Sequence, residues 1–328
     1  MPKSANQKLK ILYLMDWLLS ETDDSHGLSM SQIIDRLYSV GIRAERKSIY
    51  DDIEALKQYG LDIHSRKVKT TEYYIGLREF EIPELKLLVD AVQSSKFITQ
   101  RKSLDLISKL ESLTSKNQAK LLQRQVYMTN RIKTQNESIY YNVDALHLAI
   151  SEGKKASFKY FDYDADKKQN YRRNGERYIV DPMGLSWDDE NYYLITYNVK
   201  HEDFTHYRVD RMMQIEVEKE PIVRNENTKH FDISDYCKRV FSMFGGDDAR
   251  VEFAVDNELI NVMIDRFGKD VIMYRLDDSS VRVITNIKST GTFFGWLAQF
   301  GDKIRIDSPD ILREDYIVFL KKIFEANK

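Results

Sequence analysis

The hydrophobic periodicity of this chain changes once, near residue 155. Before that point apolar side chains recur mainly at helical spacing, as in the segments KLKILYLMDWLLS and PELKLLVDAVQSSKF, because one helix face repeats about every 3.6 residues. After it, apolar and polar residues alternate in ASFKYFDYD and NYYLITYNV, and such alternation is typical of strands. The pattern therefore predicts mainly helices in the first part of the chain and a sheet in the second.

The length and composition favour several folded domains. At 328 residues the chain exceeds one ordinary domain, which holds roughly 100 to 200 residues. Hydrophobic residues make up 42% of the chain, against 5 prolines and 13 glycines, and this composition supports packed cores rather than long disordered segments. We expect an α+β, multidomain protein with four segments, residues 1–78, 79–138, 139–228 and 229–328.

Three bulk properties restrict the function. The N-terminus MPKSANQKLK precedes no signal-peptide core, and no apolar run approaches the roughly 20 residues that cross a bilayer, so we expect a cytoplasmic protein without membrane contact. Cys237 is the only cysteine and the six histidines lack metal-ligand spacing, so we expect no disulfide, metal or cofactor. Because the formal net charge is −2, any nucleic-acid contact must come from a local cluster of cations.

Residues 29–60 have the pattern of two helices joined by a tight turn. Ser29 and Gln32 match the S-x-x-Q pattern of a capping box, and apolar residues at helical spacing follow until Gly41. The next segment, ERKSIYDDIEALKQYG, has a second apolar face and ends at Gly60. Two short helices with a glycine-containing turn predict a helix-turn-helix, whose second helix enters the major groove of DNA.

A hairpin is predicted directly after these helices. LDIHSR and TEYYIG have the composition of strands around a basic turn, residues 67–70, so the order of elements indicates a winged helix-turn-helix. Side chains at the start of the second helix reach phosphates and base edges, and a basic wing can reach phosphates or the minor groove. The candidate DNA-binding residues are Arg43, Arg46, Lys47, Ser48, Tyr50, Arg66, Lys67 and Lys69. The alternative interpretation is a solvated helix end and a solvated turn.

A helical linker is predicted between the hairpin and the second half of the chain, in three pieces at residues 83–97, 103–113 and 117–126. Leu85, Leu88, Val89 and Val92 form an apolar stripe there, which a lone surface helix would not expose. We expect this region to dimerise, with the stripe buried between subunits or against the second half. The polar stretch from Lys133 to Ser138 then interrupts the periodicity and marks a boundary.

Beyond the boundary, one amphipathic helix precedes the strands of a small, strongly curved antiparallel barrel. From about Phe231 the chain alternates strands and helices, for which we expect a small α+β sandwich. Its Phe-rich segment GTFFGWLAQFG and Trp187 are interpreted most simply as core.

Residues 184–212 resemble the WYL domain of bacterial regulators. The Trp-Tyr-Leu signature of that family corresponds to Tyr192-Tyr193-Leu194 here, with Tyr in place of Trp, and its later Phe-Arg-Leu-Asp-Arg-Ile corresponds to residues 207–212, YRVDRM. KSIYDDIEAL, residues 47–56, is similar to the recognition helix common upstream of WYL domains, with Asp51 in place of a common Arg. Because a carboxylate beside phosphates is unfavourable, Asp51 either accepts from a cytosine amino group or points away from the DNA backbone.

The resemblance implies an Sm-like small β-barrel followed by a C-terminal extension, a homodimer, and a regulatory ligand that is single-stranded nucleic acid or a nucleotide. Arginine forks suit phosphates and aromatic faces suit bases, so the candidate ligand-binding residues are Tyr193, His206, Tyr207, Arg208 and Arg211. Neighbours on a strand face opposite ways, and we therefore expect His206, Arg208 and Arg211 to form the set near the pocket. In the alternative interpretation the tyrosines are core residues and Arg208 is a structural partner of Asp210.

These patterns together predict a sequence-specific regulator of transcription, a repressor that binds double-stranded operator DNA and responds to a nucleic-acid or nucleotide ligand. No enzyme is expected, because Cys237 has no nearby His and the acidic pairs fall in turns. One alternative is a nucleic-acid-binding accessory module of a defence or effector system, without promoter activity. Another is a nuclease, which would need a metal-binding carboxylate cluster that the sequence does not display.

Overall fold

The structure is a computed structural model, and it describes residues 7–122, 133–134 and 138–328. The chain divides into two compact units, Met1–Glu137 and Ser138–Lys328. Residues 123–126 of the third predicted linker helix and residues 135–137 of the predicted boundary lie outside the described residues. No helix within the described ranges combines the length and apolar character needed to span a lipid bilayer.

The N-terminal unit begins with three helices and a hairpin. Its first elements are α1 (Gln7–Glu21), β1 (Leu28–Ser29), α2 (Met30–Ser39), α3 (Arg46–Tyr59), β2 (Ile63–Lys67) and β3 (Thr71–Ile75). The strands form a small antiparallel sheet in the order β1-β3-β2. The helices and sheet share one apolar core, which includes Leu14, Ile33, Ile49 and Ile75.

Local sequence signals set the ends of α2 and α3. The predicted capping box is present, because Ser29 N donates to Gln32 Oε1 at 2.8 Å and Gln32 N donates to Ser29 Oγ at 3.3 Å. Helix α3 ends at Gly60, whose φ of 114° lies in the left-handed region that glycine adopts without strain. Both helices therefore begin and end where the sequence predicts.

The linker helices pack on one another within the N-terminal unit. They are α4 (Ile82–Ser94), α5 (Gln100–Glu111) and α6 (Lys116–Leu122). Leu85 and Val89 are buried against Ile107 and Leu122 of the same unit. The prediction that this stripe is buried between subunits or against the second half is therefore wrong for Leu85 and Val89, because the neighbouring helices of the linker already cover them.

The C-terminal unit begins with one helix and a curved antiparallel sheet. These elements are α7 (Ile139–Glu152), β4 (Lys154–Tyr163), β5 (Gln169–Tyr171), β6 (Tyr178–Asp188), β7 (Asn191–Asn198), β8 (Asp203–Arg208) and β9 (Met212–Pro221). The strand order is β5-β4-β6-β7-β8, and β9 also pairs with β4. The predicted switch from helical periodicity to strand alternation is thus confirmed.

Two short helices, α8 (Glu226–Lys229) and α9 (Ile233–Arg239), lead to a second sheet in the same unit. The elements that follow are β10 (Asp247–Asp256), α10 (Ile260–Phe267), β11 (Ile272–Arg275), β12 (Ser280–Ser289), α11 (Gly291–Ala298), β13 (Ile304–Ser308) and α12 (Asp310–Ala326). The sheet order is β11-β12-β10-β13, with antiparallel pairs throughout. Phe253 and Phe293 are fully buried between this sheet and its helices. The predicted boundary at residues 228/229 falls inside this compact unit.

Helix α9 packs on β6, β7 and β8 of the first sheet. At Gly184 the backbone of β6 lies so close to α9 that an added Cβ would be 2.4 Å from Ile233 Cδ1. On β8, the His206 ring lies 5.5 Å from the Tyr236 ring, and burial lowers the pKa of His206 from 6.5 to about 4. Residue 206 is therefore part of the packing between the sheet and α9.

Replacing Leu85 tests its place inside the linker. We expect Leu85→Ala to lower the free energy of unfolding by about 2 to 5 kcal/mol, because it leaves a cavity among packed helices. The matched control is Leu87→Ala, two residues away and 71% exposed, which should change it by less than about 0.5 kcal/mol. Urea denaturation measures both, and equal effects of the two variants would contradict the assignment.

Acid should weaken the packing at His206. The folded pKa of about 4 lies below the ordinary value of 6.5, so as pH falls through this window the unfolded chain binds the proton before the folded chain does. Protonation of His206 in the unfolded chain should therefore lower the free energy of unfolding by roughly 2 kcal/mol when the pH falls from 7 to 4.5. His206→Phe should remove that part of the pH dependence, whereas His201→Phe, at an exposed site, should retain it. The hypothesis fails if both variants have the same pH dependence in denaturant titrations.

Candidate nucleic-acid interface and ligand site

Exposed cations lie together at the start of α3. Arg46 and Lys47 occupy the first turn of the helix and Tyr50 the next, and all three side chains are exposed. Arg43, in the turn that precedes the helix, is exposed as well. The structure thus brings together four of the residues that the sequence predicts as DNA contacts, at the end of the helix where side chains of a recognition helix meet base edges.

Ser48 has a different role from its neighbours. The ammonium group of Lys10 on α1 donates to Ser48 Oγ and lies 2.8 Å from Asp52 Oδ2. Lys10 is only 5% exposed, so its charge needs these partners. The Ser48 hydroxyl thus holds α1 against α3 by accepting this hydrogen bond, and a DNA contact through its own O–H group stays a prediction.

The predicted DNA contacts of the β2–β3 hairpin also differ in their surroundings. Lys67 and Lys69 are exposed at the tip. Arg66, in contrast, donates to Glu72 Oε2 at 3.0 Å and to the Ser25 carbonyl at 2.9 Å. The Arg66 guanidinium thus links the hairpin to the loop before β1. Because its donors are used within the protein, Arg66 is a structural residue of the wing rather than the predicted DNA contact.

Strand alternation separates the predicted ligand-binding residues. Tyr193 and His206 lie on the side of the first sheet that faces α9, next to Tyr236. Tyr207 points to the other side, where its ring lies 5.4 Å from that of Tyr160. The expected set of His206, Arg208 and Arg211 is therefore not formed, because His206 is enclosed by the packing of α9.

Arg208 and Arg211 both have carboxylate partners. Arg208 makes a two-pronged contact with Asp210, at 3.0 and 2.9 Å, and also donates to Asn191 Oδ1 at 2.7 Å. Hydrogen bonding to Asp210 raises the pKa of Arg208 above its usual range. Arg211 donates to Asp162 Oδ1 at 3.0 Å. Arg208 is thus a structural partner of Asp210, as the alternative interpretation of the sequence states. Arg211 also lies near the phenol of Tyr160.

Four aromatic side chains, Phe158, Tyr160, Tyr178 and Tyr207, form what we call the tyrosine cluster. Their ring centroids lie 5.2 to 6.2 Å apart. Burial raises the pKa of Tyr160 and of Tyr207, so both phenols stay protonated near neutral pH. Because the rings cover one another, Tyr207 is a core residue and not a stacking surface for a base.

Two consecutive arginines, which we call the arginine pair, lie over the tyrosine cluster. The Arg173 guanidinium is 4.0 Å from the centre of the Tyr178 ring and that of Arg172 is 5.3 Å from the Tyr160 ring, which are cation–π distances. Arg173 and Asn174 have φ values of 51° and 52°, a left-handed conformation that is strained in non-glycine residues. The loop is therefore held in an unusual conformation that places both cations on the rings.

The arginine pair and Arg211 together carry more positive charge than the carboxylate beside them neutralises. Arg172 and Arg211 share the two oxygens of Asp162, and within the described residues no carboxylate pairs with Arg173. Guanidinium groups with spare donors bind phosphate and carboxylate oxygens. Arg172 and Arg173 were not among the predicted ligand-binding residues, although two adjacent arginines shortly before Gly175 were a visible signal.

Comparison with known proteins adds a family assignment for part of the chain. The WYL domain model matches residues 141–217, and no curated protein matches the chain. Among solved structures, the chain is similar to proteasome accessory factor B/C (PafBC) of Arthrobacter aurescens, with 18% identity and a TM-score of 0.28 over 97% of this chain and 48% of that one. It is also similar to a structure described as a CRISPR Cas-related protein, with 14% identity and a TM-score of 0.36 over 75% of this chain and 71% of that one. The chain thus spans about half the length of the Arthrobacter structure.

The matched range contains β4 to β8, the tyrosine cluster and the arginine pair. It also contains residues 184–212, which carry the resemblance to the WYL domain in the sequence, but not residues 47–56. Residues 141–217 of this chain therefore form a WYL domain.

Proposed function

We propose that this protein is a transcription regulator whose N-terminal unit binds duplex DNA and whose WYL domain binds an anionic ligand that changes DNA affinity. The observation that carries the proposal is the exposed cluster of Arg43, Arg46, Lys47 and Tyr50 at the start of α3. Three helices followed by a hairpin with an exposed basic tip are the arrangement of a winged helix-turn-helix, which inserts its third helix into the major groove.

The proposed DNA contacts differ in role. Arg46 and Lys47 lie where phosphates and base edges meet the helix, and Lys67 and Lys69 at the hairpin tip would contact the neighbouring backbone. Such local contacts can position a protein whose net charge is −2. We propose that two copies bind as a homodimer, one recognition helix per half-site. Repression is the simplest output, because it needs only occupancy of the operator.

The proposed ligand carries phosphate. The arginine pair and Arg211 supply guanidinium donors beside the tyrosine cluster; Arg172 and Arg211 have Asp162 as their carboxylate partner, and Arg173 lies over the Tyr178 ring. We propose that single-stranded nucleic acid or a nucleotide binds there through its phosphates. A ligand that draws Arg173 from its ring would change the conformation of the strained loop, and coupling to DNA requires that two arrangements of the protein differ in ligand affinity.

Removing the cations of α3 tests the DNA interface. We expect Arg46→Ala with Lys47→Ala to weaken operator binding and to reduce the log-log salt slope by up to about 2 units, because each lost phosphate contact removes about one. The control is Lys57→Ala on the same helix, whose ammonium pairs with Glu54 at 2.8 Å. Footprinting of the DNA beside the encoding gene supplies the duplex, and fluorescence anisotropy at several salt concentrations measures the slope. An unchanged slope and affinity in the double variant would exclude both residues.

Neutralising the arginine pair tests the ligand site. A short single-stranded oligonucleotide should bind the wild type and change its operator affinity by about 5-fold to 150-fold, the usual size of such coupling. Arg172→Gln with Arg173→Gln should abolish this change and leave basal operator binding intact. Lys167→Gln with Lys168→Gln, in an exposed turn nearby, should respond as the wild type does. If the folded arginine variant also responds normally, the ligand binds elsewhere; a mononucleotide tested in parallel separates the two ligand classes.

A further inference from the structure

A cavity of about 480 Å³ lies inside the N-terminal unit. It is bordered by α1, by the turn from α3 to β2, by the loop between β3 and α4, and by the end of α5. Cavities that bind small organic molecules in proteins usually measure roughly 300 to 1,000 Å³. The cavity is therefore large enough for a small organic ligand, and such a ligand would contact both the helix-and-hairpin part of the unit and the linker helices.

Apolar side chains form much of the wall of this cavity. Leu77 and Leu113 line it and are 77% and 42% exposed, so their neighbours in the unit leave them open to water. The wall is completed by Leu19, Leu61 and Ile75. Because covering such side chains removes apolar surface from water, the wall favours an occupant with an apolar body.

Two carboxylates of the cavity are left without partners. Asp16 on α1 and Glu79 before α4 both line it and are exposed. Across the ranges that the structure describes, neither of them forms an ion pair. The third carboxylate of the lining, that of Asp62, is instead held by its neighbours, because Asp62 Oδ2 accepts from Leu77 N at 2.7 Å and Asp62 Oδ1 lies 2.8 Å from His64 Nε2.

Arg78 lines the cavity as well, but its charge is used on the far side of the loop. Its guanidinium donates to the Thr22 carbonyl at 2.6 Å, and the carboxylates that act on its charge are those of Asp23 and Asp24. Arg78 therefore does not neutralise the two partnerless carboxylates. The cavity combines an apolar wall with negative charge, and a ligand that matches it needs both an apolar surface and a positive charge.

We propose that this cavity binds an organic cation with an apolar body, of the aryl-alkyl amine class. The ammonium group contacts the carboxylates of Asp16 and Glu79, and the apolar body covers Leu77 and Leu113. This site differs from the one proposed for the WYL domain in its position and in the charge of its ligand. The proposal depends neither on DNA binding nor on the anionic ligand, and it gives the N-terminal unit a ligand of its own.

A set of probes with similar shapes and different charges tests the proposal. Phenylbutylamine, phenylbutanol and phenylbutyrate are positive, neutral and negative at neutral pH. Isothermal titration calorimetry of the full chain at low salt should show roughly threefold to tenfold tighter binding of the amine than of the alcohol, because exposed ion pairs contribute modestly. Phenylbutyrate should bind more weakly than both. Butylamine, which lacks the ring, should bind about tenfold or more weakly than phenylbutylamine, because it covers less apolar surface.

Two variants separate charge recognition from damage to the cavity. The neutral variant, Asp16→Asn with Glu79→Gln, should bind the amine and the alcohol about equally. The reversed variant, Asp16→Lys with Glu79→Lys, should prefer phenylbutyrate to the amine. The control is Asp35→Asn with Glu45→Gln, which removes the same charge at exposed sites that do not line the cavity; it should keep the wild-type preference. Circular dichroism checks the fold of each variant.

Four results would overturn the proposal. The first is that phenylbutylamine does not bind the wild type at about 10 mM, and the second is that the wild type prefers the alcohol or phenylbutyrate to the amine. The third is an undiminished preference for the amine in the neutral variant, which would mean that the ammonium group lies elsewhere. The last is a reversed variant that folds and still prefers the amine.

Discussion

The alternation of side chains along β8 is the constraint on which the WYL domain depends. Successive residues of a strand face opposite sides, so His206 enters the packing with α9 while Tyr207 enters the tyrosine cluster. Both sides of one strand are thus committed to core contacts. Donors for the proposed ligand would then come from the loops around the sheet, where the arginine pair lies.

Ion pairing within the protein determines which arginines have hydrogen-bond donors left for a ligand. Arg66 and Arg208 each have a carboxylate partner and further hydrogen bonds within the protein. Removing one partner of such a contact leaves a charge without compensation, and for that reason these residues are poor places to test ligand binding. Arg173 differs, because its guanidinium rests on an aromatic face and keeps its hydrogen-bond donors.

Signals between near neighbours in the sequence were sufficient for much of the fold. The capping box at Ser29 and the glycine after α3 predicted helix ends, and the pattern around residues 192–194 and 207–212 predicted the WYL domain. The contact of Lys10 with Ser48 joins residues 38 positions apart, and no local pattern contains such a contact. The position of the Arg173 guanidinium over the Tyr178 ring is likewise a contact between residues of different elements, which the adjacent arginines in the sequence do not show. Sequence patterns thus predicted the helices and strands, but not which side chains pair with one another.

The buried ammonium of Lys10 has a mechanical consequence. It fixes the beginning of α1 to α3, while Glu21 at the other end of α1 pairs with Lys116 at 2.9 Å at the start of α6. Helix α1, which is 15 residues long, therefore has an ion-pair contact near each end. The first contact is with the helix that carries Arg46 and Lys47, and the second is with the linker. In the proposed function, the angle of α3 in a DNA groove would therefore depend on the position of α1, and a displacement of α6 that moved α1 would tilt α3 relative to the groove.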